Sequence, residues 1–449
     1  MNKETTRLGT APVGGLLWRF AMPAIISFMV GAVYNASNRI FIGAALGDTG
    51  LAALGIAAPL FLIAITINLL CGVGGNALFS IKLGCGDAPA ANKIVRNTIW
   101  LQSILGAAYI AATGFFMNDI LIACGASAET LPLARQFMTF LLCGVFFDIM
   151  GNGLNQFVRS LGRPGRAMAN AIAGSVVNII LDYVLIIHMD MGMAGAGIAT
   201  AVAMFSIFVM VAFSFRKSVV RLAFEMPSPR VMWTICKFGA APFVLHLAFA
   251  ANSFVVNGVL AKNGGDVAIG AWAVVIVVQQ FLTMPVFGFT QAMQAIAGYN
   301  YGAGKFARVR SALMKAFFAT EVWLCAAMVA IWVFGGTLAS AFGDGASSAL
   351  AARAISWLAI SFPFLGMVFV SGVFMNATGH YMRSLILNFM RAIGFALPAI
   401  YIGSYFWGIK GLMVLWPVGD IFSCALAACL MFGLLRRLNR QSADACALV

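Results

Sequence analysis

Charge is what this sequence has least of: 9% of its 449 residues are Asp, Glu, Lys or Arg, where a soluble globular chain carries about a quarter. Histidine is nearly absent, and His188, His246 and His380 lie too far apart to give metal-ligand spacing. The nine cysteines include no CxxC pair and fall mostly in apolar stretches, where a free cysteine packs as a small hydrophobe. No nucleophile–base constellation stands out, so no catalytic residue, metal or cofactor is assigned and an enzyme is not expected. Two glycine-rich stretches, GVGGNA (72–77) and GAGIAT (195–200), echo a dinucleotide fingerprint but lack its strand–turn–helix setting. They read more simply as small residues that let membrane helices approach closely. The first dozen residues, MNKETTRLGTAP, are polar and lack the pattern of a removable signal peptide.

What is present is hydrophobic: 62% of the chain, in runs of about 18 residues or more, the signature of membrane-spanning helices. The fold class is therefore an all-α polytopic membrane protein. Reading the runs between Gly, Pro and charge gives twelve spans, 15–43, 51–80, 94–117, 131–157, 166–187, 194–215, 238–260, 267–297, 309–334, 349–377, 381–406 and 411–435. Several exceed the roughly 20 residues that cross a bilayer, so tilt or extension beyond it is expected.

The net charge of +14 invites a nucleic-acid reading, but its distribution argues for topology instead. Most of the 28 basic residues cluster at the ends and in every second connection. Examples are Lys82, Lys93 and Arg96, then Arg159, Arg163 and Arg166, and later Lys305, Arg308 and Arg310. The alternate connections hold little more than Arg39, Arg135, Lys262, Arg353 and Lys410. Lys and Arg are retained on the cytoplasmic side, which places both termini in the cytoplasm. No nucleic-acid partner is expected.

The two halves echo each other. Pro23 and Pro242 each fall early in the first helix of a half, and Asn38 and Asn257 lie equally far beyond them. KLGCGD (82–87) matches NYGAGK (300–305), RSLGRPGRAM (159–168) matches NATGHYMRSL (376–385), and GMAG (192–195) matches GIKG (408–411). The division that follows is a cytoplasmic tail (1–13), a first lobe of six helices (14–216), a basic, proline-containing linker (217–237), a second lobe (238–438) and a second tail (439–449). Six is an even number, so both repeats share one orientation, related by an axis along the membrane normal. That plan is common in secondary transporters.

Charges within a bilayer are expensive and mark functional candidates. Asp148, Asp182, Glu321 and Asp420 fall inside the spans. In NIILD (178–182), Asn178 and Asp182 share a helix face. Asn38, Asp182 and Thr200 all fall about 7–9 Å below the outer surface at the helical rise of 1.5 Å per residue. One cluster of Asp182, Asn178, Asn38, Asn35 and Thr200 is thus permitted. A carboxylate among amides and a hydroxyl suits a proton or small cation, since burial favours the neutral acid and lets a gradient load and unload it. A fixed ion pair between Asp182 and Arg39 is the structural alternative. Asp148 reads as a helix-packing residue, Glu321, Arg39 and Asp420 as secondary candidates, and Pro23 and Pro242 as hinges.

These motifs resemble the multidrug and toxic compound extrusion (MATE) family, in particular its bacterial MepA-like branch. The resemblance rests on Pro23, YNASNRIFIG (34–43), GLAALG (50–55), RSLGRPGRAM (159–168), NIILDYVLI (178–186), MGMAGAGIAT (191–200) and GIKGLMVLWPVGD (408–420), in order and at matching spacing. It implies two pseudo-symmetric six-helix lobes in a V, sited in the bacterial inner membrane. It also implies export of amphipathic, cationic organic compounds against inward movement of protons or sodium ions. The family's cation site falls on Asn178, Asp182 and Thr200. Where the family usually has a first-helix carboxylate this chain has Asn38, and the seventh and tenth spans hold no Asp or Glu, so coupling would lean on Asp182. A monomer is expected. Sodium coupling, or a flippase for a lipid-linked substrate as in distant relatives of the fold, are the alternatives.

Overall fold

The computed structural model describes residues 3–216, 226–340 and 346–438. Much of the expected linker and the whole C-terminal tail lie outside these residues. The described chain is helical, as it must be where no water reaches the backbone and every N–H and C=O has to be satisfied within its own segment. Ten helical stretches are long and apolar enough to cross a membrane, and two of these, Val13–Gly84 and Tyr381–Arg436, are continuous only in name. Gly47 (φ 60°, ψ −150°) and Gly408 (φ 56°, ψ −133°) leave helical geometry and break them, so the spans number twelve. They are α1 (13–46), α2 (48–84), α3 (Ala88–Phe115), α4 (Thr130–Ser160), α5 (Pro164–His188) and α6 (Gly192–Phe215). The second set is α7 (229–264), α8 (266–302), α9 (Phe306–Ser340), α10 (346–377), α11 (381–407) and α12 (409–438). Several begin or end a turn or more outside the apolar run, α7 starting at Pro229 rather than near 238. Hydrogen bonding carries a helix past the edge of its hydrophobic stretch.

Local chemistry fixes the turns, and it does so twice. Gly86 and Gly304 close α2 and α8, and Gly162 and Gly379 close α4 and α10, all with positive φ. At each the following residue reaches back along the helix. Asp87 N donates to Lys82 O (3.1 Å), Lys305 N to Asn300 O (2.9 Å), Arg163 N to Val158 O (3.3 Å) and His380 N to Met375 O (2.7 Å). This is one helix-capping turn used four times, and its left-handed residue is cheapest as glycine. Gly47 with Gly265, and Gly192 with Gly408, complete four matched pairs of positive-φ glycines. The internal repeat is thus a repeat of backbone geometry.

The chain forms two compact units. Among the described residues the first comprises 3–10 and 26–239, the second 11–25 and 240–438. The expected division, by whole helices, differs at two places: the start of α1 belongs with the second unit and the start of α7 with the first. Packing explains both. In the second unit Trp18 meets Phe289 edge-on at 5.3 Å and Arg308 Nη2 donates to Ala11 O at 2.6 Å. In the first, α2 and α7 touch backbone to backbone, so that a Cβ on Gly74 would strike Ile235 and Gly239. The exchanges fall at residues 25/26 and 239/240, beside Pro23 and Pro242. Helical backbone geometry continues through both prolines, the breaks coming later at Gly47 and Gly265.

Each unit has its own apolar core. In the first, Phe137, Met138, Leu141 and Ile149 of α4 pack with Leu60, Ile186 and Met193. In the second, Leu324, Phe362, Leu365 and Phe369 pack with Val256, Trp272 and Leu412.

Candidate functional site

Four of the first unit's buried polar side chains, Asn38, Asn178, Asp182 and Thr200, lie where α1, α5 and α6 meet. Asp182 and Asn178 are fully buried on α5. Asp182 ends the regular α-helical part of α5, which widens into a π-helical turn over Tyr183–His188. Such turns shift side chains out of the usual register and recur at functional sites. Asn178, with its amide turned to suit its neighbours, donates to Asp182 Oδ2 at 2.8 Å and accepts from Thr200 N at 3.3 Å. Asn38 of α1 reaches Thr200 Oγ1 by a long hydrogen bond, 3.5 Å. A chain of polar contacts therefore runs Asn38, Thr200, Asn178, Asp182 across three helices, the grouping that depth and spacing permitted.

Two oxygens in this cluster, Asp182 Oδ1 and Asn38 Oδ1, are buried without a hydrogen-bond partner. An unsatisfied buried acceptor is costly, typically about 1–3 kcal/mol, so a site that keeps two is suited to receiving a proton or a small cation. The alternative of a fixed pair with Arg39 is not formed: Arg39 is exposed, and among the described residues no ion pair joins it to Asp182. Asn35 is also exposed and donates to Gly31 O of its own helix at 2.8 Å. It stands at the edge of the cluster rather than within its hydrogen bonding.

Beside this chain lies a cavity of about 240 Å³, walled by Tyr34, Asn35, Phe61, Asp148, Asn152, Gly174, Ser175, Thr200 and Met204, among others. A smaller one of about 100 Å³ is lined by Asn38, Arg39, Tyr34, Phe137 and Thr200. Thr200 and Tyr34 border both. Asp148, read from sequence as a packing residue, faces the larger cavity with its Oδ1 held by Asn152 at 2.7 Å. A signal for it existed: Asp148 and Asn152 repeat, in reverse, the four-residue spacing of Asn178 and Asp182.

The remaining candidates lie in the second unit. Asp420 of α12 pairs with Arg391 of α11 at 3.5 Å, both buried. Glu321 on α9 is half-buried against α10, where a Cβ on Gly366 would strike its carboxyl group, and its Oε1 has no hydrogen-bond partner. Neither carboxylate belongs to the Asp182 cluster.

Among the described residues, twelve spanning helices in two repeats, with a buried carboxylate in a polar cluster beside a cavity, have the architecture of a polytopic membrane transporter. The MatE family model matches the chain twice, over residues 23–184 and 242–402. The chain belongs to the MATE family of transporters. It is similar to the multidrug export protein MepA of Staphylococcus saprophyticus, with 26% identity over 437 residues covering 95% of each chain. Among solved structures, it is similar to an outward-facing multidrug resistance MATE transporter of the MOP superfamily, with a TM-score of 0.91 at 22% identity over 98% of this chain and 100% of that one. A MATE structure in a bent conformation superposes with a TM-score of 0.93 at 22% identity over 99% and 100%.

Proposed function

We propose that this chain exports amphipathic organic cations across the bacterial cytoplasmic membrane, with both termini in the cytoplasm, in exchange for inward-moving protons. Asp182 is the main coupling carboxylate. The observation that carries this reading is the fully buried Asp182 with one oxygen unpaired, at the end of a polar chain whose Thr200 borders the cavity. Neutralising a buried carboxylate changes the stability of everything packed around it. A proton arriving at Asp182 would therefore bias α5 against α1 and α6 and alter the cavity they line. The cavity suits its ligand: Asp148 supplies charge attraction, while Tyr34, Phe61 and Met204 supply adaptable apolar and aromatic surface. The protein acts as a monomer with no resident cofactor, its partners being the small organic substrate and the lipid bilayer. MepA, to which it is similar, is named a multidrug export protein, which supports the substrate class.

The test is uptake of a fluorescent organic cation into inside-out vesicles under an imposed proton gradient. Wild type should accumulate the dye and Asp182→Asn should not, at equal expression. Equal transport by both would remove Asp182 from coupling. Transport by neither would overturn the export reading.

Sodium coupling is the second reading, favoured by one feature: Asn38 Oδ1 and Asp182 Oδ1 are both unpaired oxygens in one cluster, the hard-ligand type that alkali cations take. A sodium gradient that drives uptake where a proton gradient does not would select it. The flippase reading gains little, since the first-unit cavities described above include one arginine, Arg39, in their walls.

A further inference from the structure

The matched turn glycines relate the two units position by position. Gly174 and Arg391 each fall twelve residues after Gly162 and Gly379, and Met204 and Asp420 each fall twelve after Gly192 and Gly408. Asn152 and Phe369 precede Gly162 and Gly379 by ten, and Gly31 and Phe249 precede Gly47 and Gly265 by sixteen. In the first unit Gly31, Asn152, Gly174 and Met204 all line the 240 Å³ cavity. In the second unit their counterparts meet one another. The Arg391 guanidinium lies 4.5 Å from the centre of the Phe369 ring and 5.8 Å from that of Phe249, and its Nε is 3.5 Å from Asp420 Oδ1. Where one unit has a hollow, the other has a cation held by a carboxylate and two aromatic rings.

A carboxylate with aromatic faces is the chemistry that recognises an organic cation. We propose that the second unit contains an organic-cation pocket equivalent to the first-unit cavity, and that Arg391 is its built-in occupant. The pocket takes a guanidinium-type monocation, and the tethered side chain keeps free cations out. The fit leaves capacity on both partners. Arg391 Nη1 and Asp420 Oδ2 are buried with no hydrogen-bond partner, whereas a purely structural arginine–carboxylate pair gains most by bonding twice and side by side. Arg391 sits in a π-helical turn, Met390–Phe395, the kind of local widening that redirects a side chain. Cutting Arg391 back leaves Asp420 uncompensated in an apolar setting, which is strongly unfavourable, and a small cation of the same shape can restore the balance.

The experiment uses the full chain purified in detergent and reads its thermal unfolding during titration with methylguanidinium chloride, with sodium chloride at equal ionic strength as reference. Arg391→Ala should unfold at lower temperature than wild type and regain stability with increasing methylguanidinium, as binding to the folded state alone requires. Wild type, its pocket filled, should not respond. Arg391→Ala/Asp420→Ala, lacking the carboxylate, should not respond either. If Arg391→Ala does not survive extraction, monodisperse protein should be recovered when methylguanidinium is present throughout, while the double variant should be recovered without it. An Arg391→Ala protein indifferent to the cation, or three proteins that respond alike, overturns the proposal. None of these readouts depends on what the first unit transports.

Discussion

The two units follow one backbone plan and fill it with opposite chemistry. Asn38, Asp182 and Thr200 make the polar chain of the first. Counted from the same turn glycines, their counterparts in the second are Val256, Ala399 and Trp416; Asn257, which matches Asn38 when counted from the prolines, falls one residue out of this register and is exposed. Val256 is core, and Trp416 stacks obliquely on Trp272 at 5.7 Å. Conversely, the hollow of the first unit becomes the Arg391–Asp420 pair of the second. Turn geometry is therefore what the repeat conserves within this chain, and the choice of side chain at a few positions decides whether this one place is hollow or filled. A repeated fold gives two equivalent places for a cavity; at this place the first unit has a hollow and the second has the Arg391–Asp420 pair.

The largest expected effect breaks the polar chain itself. Asp182→Asn should lower proton-driven uptake by about tenfold or more, about 1.4 kcal/mol in the driving step, because an amide cannot carry the proton. The same measurement on Asp420→Asn should show a smaller loss if the second unit is closed to substrate. Equal losses would erase the contrast between the units.

Next in size is a graft that gives the first unit the second unit's filling. Gly31 has open space where a side chain would start, borders the cavity, and corresponds to Phe249. Gly31→Phe should cut uptake of a bulky cation by roughly tenfold while leaving the unfolding temperature unchanged. Unaltered uptake would mean the cavity is not on the substrate's path.

A third variant sharpens the difference between Asn38 and the family's usual carboxylate. Asn38→Asp places a second acid on the chain through Thr200, and two nearby carboxyl groups titrate as a coupled pair. Transport should persist with a steeper dependence on pH and more protons moved per substrate, measured by dye and proton flux in the same vesicles. An unchanged stoichiometry would place position 38 outside the coupling route.

Much of this was legible before the structure. Twelve spans follow from apolar runs because the bilayer tolerates little else, and the repeat follows from glycines that a left-handed turn demands. The pairing of Asn178 with Asp182 follows from helical spacing. What stayed hidden depends on helix rotation and on contacts distant in sequence. Depth along α4 does not say which way Asp148 points, so its place on the cavity wall was missed. The Arg391–Asp420 pair joins two helices across a break at Gly408. The exchange of the α1 and α7 starts between units depends on packing such as Gly74 against Gly239, which periodicity does not encode. The π-helical turns at Tyr183–His188 and Met390–Phe395 carry no sequence signal of the kind that Gly or Pro gives.

The smallest expected effect concerns what the units share. Asn155 Nδ2 donates to Ala167 O at 3.0 Å, tying α4 to α5, and Ser384 Oγ donates to Gly372 O at 2.8 Å, tying α11 to α10. Asn155 corresponds to Gly372 and Ala167 to Ser384, so this is one tie with donor and acceptor exchanged. A buried hydrogen bond contributes about 1 kcal/mol net, and Ser384→Ala should cost about that much. Asn155→Ala should cost more, because Asn155 Oδ1 also accepts from Asn170 Nδ2 at 3.1 Å and its loss leaves that amide with Ser214 Oγ at 3.3 Å as its remaining contact. Thermal unfolding in detergent should rank wild type, Ser384→Ala and Asn155→Ala in that order, with transport retained in both variants. The reverse order would mean that the two ties, equivalent in position, are not equivalent in strength, and that the second unit relies on its single bond more than the first does on its network.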